Sequence, residues 1–330
     1  MILTKRNITK TLVSILLLTC SFVPKEIYSQ KVGTTSFQFL KVSTNARATA
    51  LGESFTAIAQ TSESLFYNPA GIVNTKSYDV SVSHVDWFID TKIYAASLSY
   101  NLGNVGVVGL FGIFADYGSI QVTKVSSLGF LSNGSFNPGL TGQTISPSAY
   151  MVGLSYARSL TDKFSFGFSA KYAGEDLILE SSSSVLFDAG LTYDTGFKSI
   201  RLGAAVRQFG PEVQFVEDKY PLPQTFEVGI SAYLIDYSDA FITNIPHSRL
   251  LFAYSIVHPR DYEQQQVIGM EYSYDDLVFI RGGYKMNFDE ETITAGFGLF
   301  WNNIRFDYAY VPFGDFLDSV HRFSFGYSGD

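Results

Sequence analysis

From Lys76 to Ser328 the chain alternates large apolar residues with small or charged ones, in runs separated by polar links. A period of two is the signature of a strand with two unlike faces. Fourteen such runs stand near 76–86, 90–102, 104–117, 144–160, 162–175, 183–195, 198–209, 221–236, 248–258, 263–274, 276–286, 291–300, 302–311 and 319–328. In the fifth, Phe164, Phe166, Phe168 and Tyr172 share one side, and Ser165, Gly167, Ser169 and Lys171 share the other. The ninth opposes Leu250, Phe252, Tyr254 and Ile256 to Arg249, Ala253 and Ser255. The thirteenth sets Ile304, Phe306, Tyr308 and Tyr310 against Arg305, Asp307 and Ala309, and the fourteenth sets Phe323, Phe325 and Tyr327 against Arg322, Ser324 and Gly326.

The links alternate in length. Tight ones at 101–104, 160–163, 194–197, 274–276 and 301–303 follow even-numbered runs, whereas longer ones at 118–146, 174–182, 210–220 and 312–319 follow odd-numbered runs. Bacterial outer-membrane barrels have even strand numbers, short periplasmic turns and long external loops. The parity predicts a first strand running outward from an N-terminus in the lumen or the periplasm. One link, 235–247, is longer than the rule allows. Period two also describes a sandwich with one wet face, and composition separates the two. Tyr and Phe number 21 and 29, while charged residues are only 16% of the chain. Fourteen aromatic faces turned inward would overfill the interior of such a barrel. The expected fold is therefore all-β, a 14-stranded antiparallel transmembrane barrel over 76–330, with its aromatic faces in lipid and its small and charged faces inside.

Residues 36–73 break the alternation. Asn45-Ala46-Arg47-Ala48 through Leu51-Gly52 predicts a short helix capped by Asn45. Tyr67-Asn68-Pro69-Ala70-Gly71 predicts a turn, since Pro69 lacks an amide donor and Gly71 tolerates positive φ. Arg47 and Glu53 would be costly against lipid, which suits a plug over 31–75 inside the barrel. The competing assignment is a helical cap on a soluble β-protein. Phe37, Phe39, Leu40, Phe55, Leu65 and Phe66 supply apolar surface that either anchors the plug or lines a ligand pocket.

Lys5, Arg6 and Lys10 precede an apolar stretch, Thr11–Val23, too short for a comfortable membrane helix. Residues 1–30 read as a secretory signal with cleavage near Gln30, so the chain is expected to be exported. Cys20, the only cysteine, lies inside that segment; a lipidated cysteine is the minor alternative. The net charge of −8, with no basic patch, argues against nucleic acid. His84, His247, His258 and His321 have no metal-pair spacing, and neither HExxH nor G-x-S-x-G occurs. No metal, cofactor or enzymatic activity is expected, although His84 and His321 become neighbours if the first and last strands meet. The 118–146 link is either a mobile external loop or a partner contact. Val185–Phe187 and Phe313–Leu317 are apolar pieces suited to a lateral opening, a docking patch or the lipid boundary.

Phe39-Leu40, Asn45-Ala46-Arg47-Ala48, Leu51-Gly52 and Tyr67-Asn68-Pro69-Ala70-Gly71 resemble the N-terminal signature of the PorV/PorQ family, a branch of the FadL-like outer-membrane barrels. Asp307-Tyr308-Ala309-Tyr310-Val311-Pro312-Phe313-Gly314 and His321-Arg322-Phe323-Ser324 resemble that family's terminal hairpin. The chain departs from the pattern with Gly52-Glu53 in place of paired glycines, and with Thr61-Ser62-Glu63 in place of an acidic pair. The resemblance implies an outer-membrane component of a type IX-type secretion system in a Gram-negative bacterium. Its implied partners are membrane lipid, the translocon, cargo C-terminal domains and attachment enzymes. The wider group implies the alternative of a channel for hydrophobic small molecules.

Overall fold

The structure, a computed structural model, describes residues 33–178, 180–215, 217–314 and 318–329. The expected signal, residues 1–30, lies outside them. Fourteen strands form the wall: β1 Tyr78–Asp86, β2 Lys92–Asn101, β3 Val107–Asp116, β4 Ser148–Ser159, β5 Phe164–Asp176, β6 Ser181–Asp194 and β7 Arg201–Phe209. They continue as β8 Thr225–Asp236, β9 Ser248–Pro259, β10 Gln265–Tyr274, β11 Val278–Met286, β12 Ile293–Trp301, β13 Ile304–Val311 and β14 Val320–Ser328. Each pairs antiparallel with its neighbour in sequence, and β14 returns to β1 in a register running from Asp79↔Ser328 to Asp86↔His321. Closure leaves the wall without a free edge, the condition for a sheet to cross lipid.

Side chains separate by parity as the alternation requires. Phe168, Tyr172, Phe323, Phe325 and Tyr327 are exposed on the outer face, whereas Ser169, Lys171, Arg322 and Ser324 are buried inside. The links define a turn end and a loop end. At the turn end, two residues join β12 to β13 and three join β10 to β11. The long turn-end link is held by Thr243–Asn244, which pairs with Ile235–Asp236 of β8, and by Asn244, which accepts from the Ala240 amide.

Two loop-end links carry strands that the alternation does not mark. Ile120–Phe130 and Phe136–Ile145 form a separate hairpin, so the 118–146 link is not an irregular loop. Its pairing slips at Gln121/Thr123 and again at Thr123/Leu128, which scrambles the two-residue period. Val213–Phe215 and Asp218–Tyr220 form a smaller hairpin in the link between β7 and β8. There β6 outruns β7. The last pair is Phe187↔Phe209, beyond a register break, so Ser181–Leu186 of β6 faces the β7–β8 link instead of β7.

The N-terminal stretch fills the lumen. Residues 33–42 lie at the loop end, where the Ser36 amide donates to the Pro221 carbonyl. Helix α1, Ala46–Ala50, follows, with the Asn45 side chain accepting from the Ala48 amide. The short helical turns Ser62–Phe66 and Pro69–Asn74 then lead to β1. Wall glycines admit this chain. A Cβ at Gly167 would fall on Pro69 and Ala70, and one at Gly190 on Asn68. Bare backbone on the inner wall is thus what lets the stretch seat in direct contact.

Candidate functional site

Four charges on the lumenal stretch meet opposite charges on the wall and its links. Lys41 pairs with Asp261. Arg47 forms a two-point fork on Glu271, with both N–H···O distances 2.9 Å. Glu53 lies 2.6 Å from Lys285, and Glu63 lies 3.4 Å from Arg305. Planar forks of this kind fix orientation as well as charge. Near the turn end the pairs merge into a network. Glu271 also binds Arg281, which binds Asp307 at 2.6 Å, and Arg305 forks on Asp79 at 2.8 and 3.1 Å. Asp79 further accepts from Ser62 and Ser328. A cavity of about 230 Å³ there is walled by charge, including Arg47, Arg249, Glu271 and Arg305.

The loop-end half has a different interior. Phe37, Phe39 and Leu40 are buried against inward residues of the wall and links, among them Ile93, Leu186, Val213 and Leu222. Phe313 packs on Trp87 and Phe88, with ring centroids 5.5 and 4.6 Å apart. Space remains on both sides of the segment 40–43. One cavity of about 380 Å³ is bounded by Phe39, Val42, Trp87, Ile93, Tyr117 and Arg322. Another, of about 200 Å³, is bounded by Leu40, Tyr67, Val257, Pro259, Val267 and Phe288. The larger falls within the size range of small-molecule sites. The space between them near Phe66 and Phe111 amounts to about 30 Å³, room for about one water. The Gln208 side chain, on the β7 strand beside the register break, donates to the Leu40 carbonyl at 2.7 Å.

Residues 15–172 match the model of a family described as "Uncharacterised protein family (UPF0164)". No curated protein matches the sequence. Among solved structures, the Ralstonia pickettii toluene transporter TbuX aligns with TM-score 0.57 and 15% identity, over 87% of this chain and 98% of that one. The P. putida toluene transporter TodX aligns with TM-score 0.54 and 12% identity, over 86% and 97%. A Pseudomonas aeruginosa FadL homologue aligns with TM-score 0.50 and 11% identity, over 86% and 98%. The fold is FadL-like. At these identities the likeness is one of architecture: an outer-membrane β-barrel.

Within that FadL-like barrel, the residues marked in the sequence do not gather at one place. Phe55 packs edge-on against Tyr67, with ring centroids 5.1 Å apart, deep under α1. Leu65 touches the backbone at Gly109, and Phe66 meets Phe111 edge-on at 5.4 Å. Of the six apolar candidates, Phe39, Leu40 and Phe66 border the cavities described above; Phe37, Phe55 and Leu65 do not. Asn45, Ala46, Arg47, Ala48 and Gly52 hold α1 to the wall. Gly52, at φ 65°, donates its amide to Thr294 at 3.1 Å. Tyr67, Asn68, Pro69, Ala70 and Gly71 seat the turn, and the Asn68 amide nitrogen reaches the Thr56 and Leu191 carbonyls. Leu186 turns inward while Val185 and Phe187 face outward; Phe313 is buried at the loop end, and Asp315–Leu317 lie outside the described residues.

Both histidines near the barrel seam face outward. His84 bonds to Asp86 at 2.9 Å and His321 to the Tyr308 hydroxyl at 2.7 Å, so among the described residues neither ring meets a serine. Also among the described residues, no cluster of three potential metal ligands occurs. The residues not marked in the sequence are Lys41, Trp87, Tyr117 and Lys285, and Arg322 was marked only as an inward residue of the terminal hairpin. Their signal was parity: Lys285 and Arg322 occupy inward positions on β11 and β14, and an inward charge in a barrel needs a partner or water.

Proposed function

We propose that this chain is an outer-membrane receptor and conduit for hydrophobic small molecules, with residues 31–75 as a permanent lumenal plug and residues 1–30 as a cleaved signal. The observation that carries this reading is the loop-end interior, where cavities of about 380 and 200 Å³, lined by aromatic and aliphatic side chains together with charged ones, lie above a layer seated on wall glycines. TbuX and TodX, which share the architecture, are named as toluene transporters. Because the plug is pinned by ion pairs along its length, passage through the turn end would require breaking several of them together. The register break between β6 and β7 supplies a lateral alternative at the depth of the chambers.

The test is uptake of toluene vapour into proteoliposomes that carry the full-length barrel and an internal sink for the solute. We expect uptake above protein-free vesicles. A disulfide from Ala189→Cys to Val206→Cys, the last regular pair before the break, should slow it several-fold. Uptake equal to empty vesicles would sink the reading.

A second reading is the secretion role that the PorV/PorQ resemblance implies, with translocon, cargo or attachment proteins as partners. It draws on the 120–145 hairpin, which projects Val125, Leu128, Phe130 and Phe136 into solvent and carries Lys124 as its single charge. Exposed apolar surface of that kind marks interaction sites. Co-purification of a large translocon barrel, lost when residues 120–145 are removed, would move the assignment there. Neither reading assigns the chain a reaction of its own.

A further inference from the structure

Arg322 is the largest fully buried side chain among the described residues, 1% exposed, and it borders the 380 Å³ cavity. Its Nε donates to the Ser43 carbonyl at 3.0 Å, and its guanidinium carbon stands 5.3 Å from the centre of the Trp87 ring. Its Nη1 is buried and meets no acceptor among the described residues. No carboxylate there lies within ion-pair distance of it, in contrast to Arg47, Arg281 and Arg305. A buried donor without a partner is a standing cost that an incoming acceptor relieves.

The charges around the chamber are already balanced. Lys41 is matched by Asp261, while Lys285 sits between Glu53 and Glu291, leaving one surplus negative charge. Arg322 supplies the compensating positive charge. Glu53, Glu291 and Arg322 all border the same cavity. An anionic ligand would therefore add an unbalanced charge beside Glu53 and Glu291. A neutral carbonyl or ether oxygen would meet the free donor without that penalty. Of the remaining walls, Phe39, Val42, Trp87, Ile93 and Tyr117 are apolar or aromatic and suit a compact hydrophobic body, while Gln38, Ser43 and Thr91 are polar.

Building on the conduit reading, we infer that the 380 Å³ chamber selects uncharged hydrophobic molecules that carry one hydrogen-bond acceptor, and that Arg322 is the donor that recognises it. Ketones, esters and aryl ethers belong to this class; plain hydrocarbons enter without the hydrogen bond and are held more weakly, and carboxylates are disfavoured by charge.

Three near-isosteric probes test the inference: acetophenone, ethylbenzene and benzoate. Each is equilibrated by dialysis against the full-length barrel in nanodiscs, with empty nanodiscs as the blank. Acetophenone should bind about tenfold more tightly than ethylbenzene, and benzoate more weakly than acetophenone. Arg322→Met should bring the ratio of acetophenone to ethylbenzene affinity down to about one. Equal binding of acetophenone and ethylbenzene, or tightest binding by benzoate, would overturn the inference while leaving the conduit reading intact. Binding of none of the three would overturn both. If Arg322→Met fails to yield a heat-modifiable barrel, the wild-type ratios decide by themselves.

Discussion

The two halves of the lumen are built from the same strands yet solve opposite problems. Near the turn end, Arg47, Glu271, Arg281 and Asp307 form one continuous chain of ion pairs, joined by a second cluster of Asp79, Arg305 and Glu63. Near the loop end, charges occur as separate pairs and one triad, Glu53–Lys285–Glu291, beside an apolar cluster that leaves open space. In the first half the interactions hold the N-terminal stretch to the wall, so a change there should be read as stability. In the second they shape a container, so a change should be read as selectivity and flux. The hydrophobic driving force is available inside a barrel only where water is excluded, and the loop-end half is where the stretch turns its aromatic side chains to the wall.

The largest effect that separates the halves should come from Glu271→Ala. It strips the fork from Arg47 and one of two carboxylates from Arg281, whose side chain is 3% exposed. Breaking a buried pair by removing one partner costs about 3–5 kcal/mol. The urea midpoint of the folded barrel, followed by its heat-modifiable gel migration, should fall accordingly. Binding of hydrophobic probes at fixed folded fraction should not change. A loss of probe binding with unchanged stability would mean that the two halves are not functionally distinct.

That division was only partly legible in the sequence. The wall was, because a strand in lipid has no freedom in where its large and small side chains point: Phe164, Phe166 and Phe168 against Ser165, Gly167 and Ser169 state the answer directly. Asn45 and Asn68 were legible for a similar reason, since caps and turns are decided locally. The 120–145 hairpin was hidden because two register slips remove the alternation that marks a strand. Arg322 could not be singled out either. Its inward direction follows from parity, but its missing partner depends on β1 closing onto β14 and on where residues 39–43 come to rest. Which charges meet across a lumen is a property of closure, and no local pattern encodes it.

An intermediate effect should come from Phe39→Ala. The side chain is 3% exposed, packs 6.2 Å from Phe37 between ring centroids, and borders the larger chamber. Truncating a buried Phe usually costs about 3–5 kcal/mol. Here the residue borders an existing chamber, so fewer contacts are lost and about 2 kcal/mol is expected. Ethylbenzene capacity should rise as the chamber enlarges. A full-sized stability loss with no gain in capacity would mark the loop end as core rather than container.

The smallest effect should come from Lys41→Ala. The Lys41 side chain is 34% exposed, and its partner Asp261 keeps a hydrogen bond from the Thr35 hydroxyl at 2.9 Å. Pairs as open to solvent as this are worth at most about 1 kcal/mol. Hydrogen exchange across residues 35–42 should therefore accelerate less than about tenfold, with protection at 45–59 unchanged. The contrast with Glu271→Ala is the informative part, because both substitutions remove one member of a pair between the N-terminal stretch and the wall. If Lys41→Ala instead released residues 35–42 to the exchange rate of a free chain, that ion pair would be the anchor. Phe37 and Phe39 would then be passengers, and the loop-end half would be governed by charge in the same way as the turn-end half.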